Sequence, residues 1–304
     1  MTFTRGRGES ETVCRTWFRI GGVSLEIRGG RESDVTLVPA LAPFRAWTET
    51  PDIKIEVDWV AELPPVPGPL LFDSGTTWSV QRRDAGFQFD FGAPVFGEGP
   101  YKRLLIDRQF CRATLQMSEG SFARFPCAAV PLGYPLDELL IMHRLTQEKA
   151  IELHSCGIVR PDGTGNLFVG HSGAGKSTTT RLWTEREDVE VLSDDRMIVR
   201  SEPDAGMRMY GTPWHGEAAY ASPESAPLQR IFVLEHGRGN VVTRLSPPQA
   251  VVELFARSFV PFHRHEYVDS ALQFLEEVVA AVPCYRYAFE PNASAVERIL
   301  EFRD

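Results

Sequence analysis

The segment GHSGAGKS at 170–177 has the composition and spacing of a phosphate-binding loop, and every fixed position of the pattern G-x-x-x-x-G-K-[ST] is occupied. Its glycines let backbone amides approach phosphate oxygens closely, because glycine lacks a Cβ and adopts unusual dihedral angles. Lys176 can then reach the β- and γ-phosphates, and the Ser177 hydroxyl can ligate Mg²⁺. The candidate nucleotide-binding residues are Gly170, His171, Ser172, Gly173, Ala174, Gly175, Lys176, Ser177 and Thr178.

Two adjacent carboxylates, Asp194 and Asp195, end the segment VEVLSDD at 189–195, which is typical of a strand. An acidic residue at the end of a strand near a phosphate loop can hold Mg²⁺, and a second can take the proton of an attacking hydroxyl. Successive strand residues point to opposite faces, so the two side chains need not share one role. The alternative is that the two aspartates only form a polar strand end or cap a turn. Their position after a phosphate loop, a helix and a strand favours the functional interpretation.

Other candidate residues lie outside these two segments. His154 belongs to the predicted strand LHSCGIV at 153–159, which forms a hairpin with the strand that enters the loop. A structural histidine and a site histidine are both compatible with this position. The segment GTPWHGE at 211–217 places His215 and Glu217 in one loop. Glu217 is a candidate metal ligand or substrate contact, and His215 is a candidate phosphate or proton contact. A turn with a solvated Glu217 is the alternative.

From residue 134 onward, strand and helix patterns alternate, which predicts an α/β domain with a central sheet. The phosphate loop would follow a strand and open a helix, which is the context that the motif requires. We predict strands at 153–159, 166–170, 189–195, 228–236 and 284–289, a hairpin from RMIVR to MRMYG, and helices at 135–150, 176–186, 246–259, 270–282 and 292–302.

The first part of the chain has a different pattern, in which short apolar segments alternate with breaks rich in proline and glycine. Apolar residues recur at period two in IKIEVDWV at 53–60 and in FQFDFG at 87–92, as in half-buried strands. We therefore predict two domains. Residues 1–133 form a β-rich accessory or substrate-recruiting domain, and residues 134–304 form the domain that carries the phosphate loop.

Composition excludes several classes of protein. The 304 residues carry a formal net charge of −9, which argues against a broad nucleic-acid-binding surface. No stretch approaches the roughly 18 consecutive apolar residues of a spanning helix, and no signal peptide is visible, so we expect no membrane association. The five cysteines are scattered without a CxxC pair, which indicates neither a zinc site nor a disulfide framework. A reducing cytoplasm is the expected compartment.

Residues 150–200 resemble the kinase domain of bacterial HPr kinase/phosphorylase, through LHSCGIV, NLFVGHSGAGKS and VEVLSDD. The nucleotide-binding core is also similar to that of phosphoenolpyruvate carboxykinase. The later segments GTPWHGEA, APLQRIFVLE and RLSPPQA look like HPr-kinase-related proteins, some of which phosphorylate peptides. Thr178 departs from this family, which usually has Glu there, and residues 1–133 do not look like its usual N-terminal domain.

The resemblance implies an α/β P-loop kinase domain, similar to HPr kinase and phosphoenolpyruvate carboxykinase, behind a β-rich α+β N-terminal domain. It implies ATP and Mg²⁺ as cofactors, a homo-oligomer as one possible assembly, and a role for His154 in phosphoryl transfer. Lys176 would bind phosphates. Ser177 and one of Asp194 and Asp195 would hold the metal, and the other aspartate would act as base.

Together these observations predict transfer of the ATP γ-phosphoryl group to a Ser or Thr hydroxyl of a protein or peptide. Two alternatives stay open. One is an enzyme for a small molecule, either a metabolite kinase or a carboxykinase-like enzyme. The other is a nucleotide-binding regulatory module without turnover. The sequence does not name the acceptor, choose between ATP, GTP and pyrophosphate as donor, or say whether phosphorolysis occurs.

Overall fold

The computed structural model of the protein describes residues 13–75, 77–97, 99–123, 125 and 129–303. Within these ranges the chain is a mixed α/β protein with one sheet of eight strands and one of nine. Contacts divide it into two units. One unit holds the described parts of Met1–Trp17, Leu25–Val38 and Trp47–Gly133, and the other holds Phe18–Ser24, Pro39–Ala46 and the described part of Tyr134–Asp304. The main segment of the second unit thus begins at Tyr134, and two short earlier segments group with it.

The eight-stranded sheet has the order β1-β2-β3-β8-β7-β6-β5-β4. Its strands are β1 (Cys14–Ile20), β2 (Val23–Gly29), β3 (Ile53–Val60), β4 (Leu70–Asp73), β5 (Trp78–Arg83), β6 (Gly86–Phe91), β7 (Lys102–Asp107) and β8 (Arg112–Ser118). Short helices at Glu32–Val35, Pro39–Phe44 and Pro94–Phe96 lie between strands of this sheet in the chain, and α1 (Glu119–Phe122) follows β8. Strand β3 runs parallel to both of its neighbours, β2 and β8, and the pairs from β4 to β8 are antiparallel.

The predicted period-two burial is confirmed in β3, where Ile53, Ile55 and Val57 are buried and the residues between them are exposed. In β6 the phenylalanines are buried as predicted, but Gln88 between them is buried as well. Its carboxamide oxygen accepts hydrogen bonds from Nε and Nη2 of Arg83, which offsets the cost of burying the amide.

The nine-stranded sheet belongs to the second unit. Its strands are β9 (Ala150–Val159), β10 (Gly165–Val169), β11 (Glu190–Ser193), β12 (Arg196–Glu202), β13 (Gly206–Tyr210), β14 (Ser225–His236), β15 (Val241–Arg244), β16 (Ser258–Phe259) and β17 (Cys284–Phe289). Its helices are α2 (Leu136–Leu145), α3 (Lys176–Thr184), α4 (Pro247–Phe255), α5 (His265–Ala281) and α6 (Ala293–Glu301).

Strand β10 is central among these strands, because it pairs antiparallel with β9 on one side and parallel with β14 on the other. Beyond β9 lies β11, and beyond β14 lies β17, which runs parallel to β14. Strand β12 also pairs with β9 and forms the predicted hairpin with β13. The loop that leaves β10 therefore has the end of β11 on one side and the ends of β14 and β17 on the other.

Apolar cores lie on both faces of β10, because successive side chains of a strand point to opposite faces. On one face Phe168 packs in a cluster with Trp183 of α3 and Ile299 of α6. On the other face Leu167 and Val169 belong to a cluster that includes side chains of α4 and α5. This double burial explains why the strand is a continuous apolar run in the sequence.

Three predicted helix boundaries were wrong. The helix predicted at 135–150 ends at Leu145, because residues 146–149 form a turn and Ala150 begins β9. The helix predicted at 246–259 ends at Phe255, because Ser258 and Phe259 pair with β9. Helix α5 begins at His265 rather than near 270. Its N-cap residue is Arg264 and not Ser, Thr, Asp or Asn, so no capping residue marks this helix start in the sequence.

Four cysteines, Cys14, Cys111, Cys156 and Cys284, are free thiols, and Cys127 lies outside the described residues. Residues 1–12, on which the expectation about a signal peptide rests, also lie outside them. In the part of the chain that the structure describes, no helix combines the length and the apolar character that crossing a membrane would require.

Candidate functional site

The loop between β10 and α3, which we call the glycine loop (residues 170–175), has a backbone that needs its glycines. Gly173 and Gly175 have φ values of +80° and +103°, where side chains with a Cβ are strained. A Cβ at Gly170 would lie 2.7 Å from Cβ of Ala174, and one at Gly175 would lie 2.5 Å from Cζ of Phe289. The first amides of α3 have no carbonyl partner within the helix, so this helix start can receive an anion.

The remaining loop positions differ in their exposure. His171 and Ser172 are exposed, whereas Ala174, Ser177 and Thr178 are half-buried. Burial, and then the charge of Arg257, lower the pKa of His171. Both effects favour the neutral form of this imidazole.

Lys176 begins α3 and is almost fully buried, with 6% of its side chain exposed. Its ammonium donates to the carbonyl oxygens of Gly170 at 3.0 Å and His171 at 3.3 Å, and lies 3.8 Å from Oδ1 of Asp195. Burial lowers the pKa of Lys176, and the nearby carboxylate of Asp195 partly opposes this shift. The cation is therefore held inside the loop, where it would meet a bound phosphate chain.

Asp195 connects this lysine to two further basic groups. Its Oδ1 lies 2.9 Å from Nε2 of His154, and its Oδ2 accepts a hydrogen bond from Nη1 of Arg196. Burial alone would raise the pKa of Asp195, but the hydrogen bond from His154 and the charge of Arg196 hold that pKa below its ordinary value. Asp195 is consequently an anion surrounded by donors.

Arg196 is itself held by acidic and aromatic side chains. Its Nε donates to Oε1 of Glu138 at 2.9 Å, and its guanidinium carbon lies 4.1 Å from the centre of the Phe259 ring. Glu152 approaches the same Nε at 3.5 Å and is fully buried. Burial, followed by the charge of Glu138, raises the pKa of Glu152 well above its ordinary value. We call Glu138, Glu152, Asp195 and Arg196 the Arg196 network.

His154 lies between two arginines in the sheet. Arg196 is its partner on β12, and its amide donates to the carbonyl oxygen of Arg257 at 2.8 Å, just before β16. The Arg257 guanidinium pairs with Glu253 at 2.6 Å. The basic side chains around the end of the glycine loop are thus each paired with an acidic side chain.

Asp194 has a different environment from its neighbour. It is 1% exposed, and its carboxylate accepts hydrogen bonds from the amides of Gly216 at 3.0 Å, Ala218 at 2.9 Å and Tyr220 at 3.2 Å. These bonds hold the loop that carries His215 and Glu217, whose side chains are both exposed. Asp194 therefore anchors this loop, and Asp195 is the carboxylate that faces Lys176.

A metal site was predicted from Ser177, Asp194, Asp195 and Glu217. Among the residues that the structure describes, no group of three or more His, Cys, Asp or Glu side chains is arranged to hold a metal ion. Ser177 follows Lys176 in α3, and Asp195 contacts that lysine. Hydroxyl and carboxylate oxygens are the kind of hard ligand that Mg²⁺ prefers. The oxygens of Asp194 are already hydrogen-bonded to three amides, and Glu217 lies on the loop that they hold.

Sequence reasoning missed several residues of this site. Arg196 directly follows the aspartate pair, so its position was visible, but its contacts with Glu138 and Glu152 depend on the packing of α2 and β9. Arg257 reaches His154 only because β16 pairs with β9. His236, at the end of β14, binds the carbonyl oxygen of Gly173 through Nε2 at 2.8 Å, and no motif marks it.

Neither the protein-family models nor the curated proteins that were compared with this chain gave a match. Fold and site together define a mixed α/β protein in which a glycine loop, a buried lysine and a His–Asp pair meet beside the carboxyl end of strand β10.

Proposed function

We propose that the protein is a P-loop phosphotransferase that moves the γ-phosphoryl group of ATP, with Mg²⁺, to a Ser or Thr hydroxyl of a protein or peptide. The observation that carries this proposal is the position of Asp195. One of its oxygens lies 2.9 Å from Nε2 of His154 and 3.8 Å from the ammonium of Lys176, at the end of a loop suited to phosphates. This arrangement joins a phosphate-binding cation to groups that can orient and deprotonate a hydroxyl.

The glycine loop would bind the phosphate chain through its amides and the start of α3. Lys176 now donates to the carbonyl oxygens of Gly170 and His171, and it would exchange those partners for phosphate oxygens. An ammonium held at that point offsets charge on the transferred group and costs little reorganisation, because burial has already positioned it.

The His154–Asp195 pair would orient the acceptor hydroxyl and take its proton. When Nε2 of His154 donates to Asp195, Nδ1 of the neutral imidazole is an acceptor for that proton. Arg196 fixes the other oxygen of Asp195 and stabilises its negative charge. Phosphoryl transfer depends mainly on positioning and charge stabilisation, so a modest base is sufficient.

The Ser177 hydroxyl would be a ligand of Mg²⁺, and the metal would offset the negative charge of the β- and γ-phosphates. The choice of a protein or peptide acceptor rests on the resemblance of the segments GTPWHGEA, APLQRIFVLE and RLSPPQA to HPr-kinase-related proteins.

The test uses purified protein with γ-labelled ATP, Mg²⁺ and lysate of the source cells. We expect label in one protein or peptide band, and loss of that label in Lys176→Ala. Lys149→Ala is the matched control, because Lys149 is a surface lysine that pairs with Glu277. Nucleotide binding without label in any macromolecule would reject a protein kinase and favour a small-molecule acceptor or a regulatory module. A protein that binds no nucleotide would reject the phosphotransferase itself.

A further inference from the structure

An aromatic wall stands beside the glycine loop on the side opposite to Asp195. His236 is exposed at the end of β14, and its Nε2 lies 2.8 Å from the carbonyl oxygen of Gly173. Its ring lies 6.5 Å from the ring of Phe289, with 25° between the two planes. Phe289 is buried and fills the space next to Gly175 where a Cβ would stand. The buried ring thus supports the exposed one.

The chain behind this wall is braced by hydrogen bonds. The backbone amide of Gly239 donates to the carboxylate of Glu290 at 2.8 Å. The backbone amide of Glu290 donates to the side-chain oxygen of Asn240 at 2.8 Å. The side-chain nitrogen of Asn240 in turn donates to the hydroxyl of Ser294 at 2.7 Å, at the start of α6. The loop after β14 and the end of β17 are therefore tied together before any ligand arrives.

The order of the strands gives a bound nucleotide a direction. Lys176, Asp195 and His154 mark the end where the γ-phosphate would lie, on the side of β9 and β11. Because β10 separates β9 from β14, the rest of the nucleotide would leave toward β14 and β17. Ligands of open α/β sheets bind outside the carboxyl ends of parallel strands, and His236 and Phe289 end two such strands.

We propose that the imidazole of His236 is the surface on which the base of the nucleotide stacks, with Phe289 behind it. This inference rests on the proposed function and deepens it, because a stacking surface selects a nucleoside triphosphate over an inorganic polyphosphate as donor. Stacking accepts any base with a π face, and purines offer the larger one, so the wall favours purine nucleotides without choosing between adenine and guanine.

The hydrogen bond to Gly173 gives His236 a second role, as a brace of the glycine loop, and two variants separate the roles. His236→Phe keeps a ring for stacking and loses the hydrogen bond. His236→Gln keeps a donor for the Gly173 carbonyl and loses the ring. His265→Ala is the matched control, because His265 is also exposed but lies at the start of α5.

The experiment is calorimetric titration of the full chain with the β,γ-imido analogue of ATP and, separately, with inorganic tripolyphosphate, both with Mg²⁺. We expect His236→Gln to weaken binding of the analogue roughly tenfold, within the range for loss of one base stack. Binding of tripolyphosphate should stay unchanged in His236→Gln, and His236→Phe should retain most of the preference for the analogue.

An equal loss of affinity for both ligands in His236→Gln would show that His236 only braces the loop. Unchanged affinity for both ligands would place the base elsewhere. Either result would overturn the inference and leave the phosphotransferase proposal standing. A wild-type protein that binds neither ligand would instead reject the proposed function, and the inference with it. Matching thermal unfolding curves of the variants would exclude loss of fold as the cause.

Discussion

Each unit of the protein contains a network of buried charge, and the two networks differ in how well their groups are satisfied. In the eight-stranded sheet, Arg103 binds both oxygens of Asp90, at 2.6 and 3.1 Å, and the carbonyl oxygen of Pro64 at 3.0 Å. Gln88 adds a hydrogen bond to Asp90 at 2.8 Å. We call Arg83, Gln88, Asp90 and Arg103 the Arg103 network.

The Arg196 network near the glycine loop is less complete. Neither carboxyl oxygen of Glu152 has a hydrogen-bond partner among the described residues, and only Arg196 lies within ion-pair distance, at 3.5 Å. Burial raises the pKa of Glu152, and burial lowers the pKa of Lys176 nearby. Perturbed groups of this kind cluster at functional sites, whereas removing one partner from a fully paired buried network is strongly destabilising. We therefore expect substitutions in the first network to lower stability, and we propose that the second network serves the candidate site.

The largest expected effect separates the two adjacent aspartates. Asp195→Asn should reduce phosphoryl transfer roughly 10²–10⁴-fold while the fold stays intact, because the variant loses the charge that orients His154. Asp194→Asn should instead reduce stability, by about 1–3 kcal/mol, because an amide cannot accept all three loop hydrogen bonds. Labelled transfer and urea unfolding of both variants make the test. Two aspartate variants with the same profile would contradict the division of roles.

In the Arg103 network, Arg103→Met should lower the free energy of unfolding by about 3–5 kcal/mol, because Asp90 would remain partly buried without its cation. Nucleotide affinity of the folded fraction should not change. Urea unfolding and titration with the ATP analogue measure the two quantities. If Arg103→Met changed the nucleotide affinity but left the free energy of unfolding unchanged, the proposed contrast between the two networks would be wrong.

Asp137 at the start of α2 should make stability depend on pH. Burial raises its pKa to about 6, even though the indole of Trp214 donates to its carboxyl at 3.0 Å. A carboxyl whose pKa is higher in the folded state favours folding while it is protonated, and this contribution is lost as the pH rises through 6. Asp137→Asn should therefore gain stability relative to wild type between pH 4 and pH 8, by about 2 kcal/mol.

Urea unfolding of wild type and Asp137→Asn at both pH values measures this difference. A constant difference between the two proteins would mean that Asp137 does not titrate in this range.

The smallest effect is expected for Glu152. Burial raises the pKa of this carboxyl well above its ordinary value, which favours its neutral form. Glu152→Gln should then exchange one neutral group for another of similar size, and stability at pH 7 should change by less than about 1 kcal/mol. Glu138→Gln should cost more, because Glu138 forms the hydrogen-bonded ion pair with Arg196. Thermal unfolding of both variants measures the contrast. A larger loss in Glu152→Gln would show that Glu152 is ionised.

The sequence alone determined the positions of the strands and helices whose ends are set by residues close to one another in the chain. The strand Cys284–Phe289 and the helix after the Asn292 cap were predicted within one residue, because apolar periodicity and a side-chain cap act over a few positions. The helix predicted at 246–259 was too long, because pairing of Ser258 and Phe259 with β9 is a long-range contact.

For the candidate site, the sequence alone determined the glycine loop, Lys176 and the aspartate pair, since a close turn with left-handed φ values requires glycine at fixed spacing. Only the tertiary structure decided that Asp194 holds a loop while Asp195 meets His154 and Lys176. It also brought Arg257 and His236 to opposite sides of the site, through strand pairings that join residues far apart in the chain. Spacing along the chain sets local backbone geometry, whereas burial and charge pairing depend on which strands become neighbours.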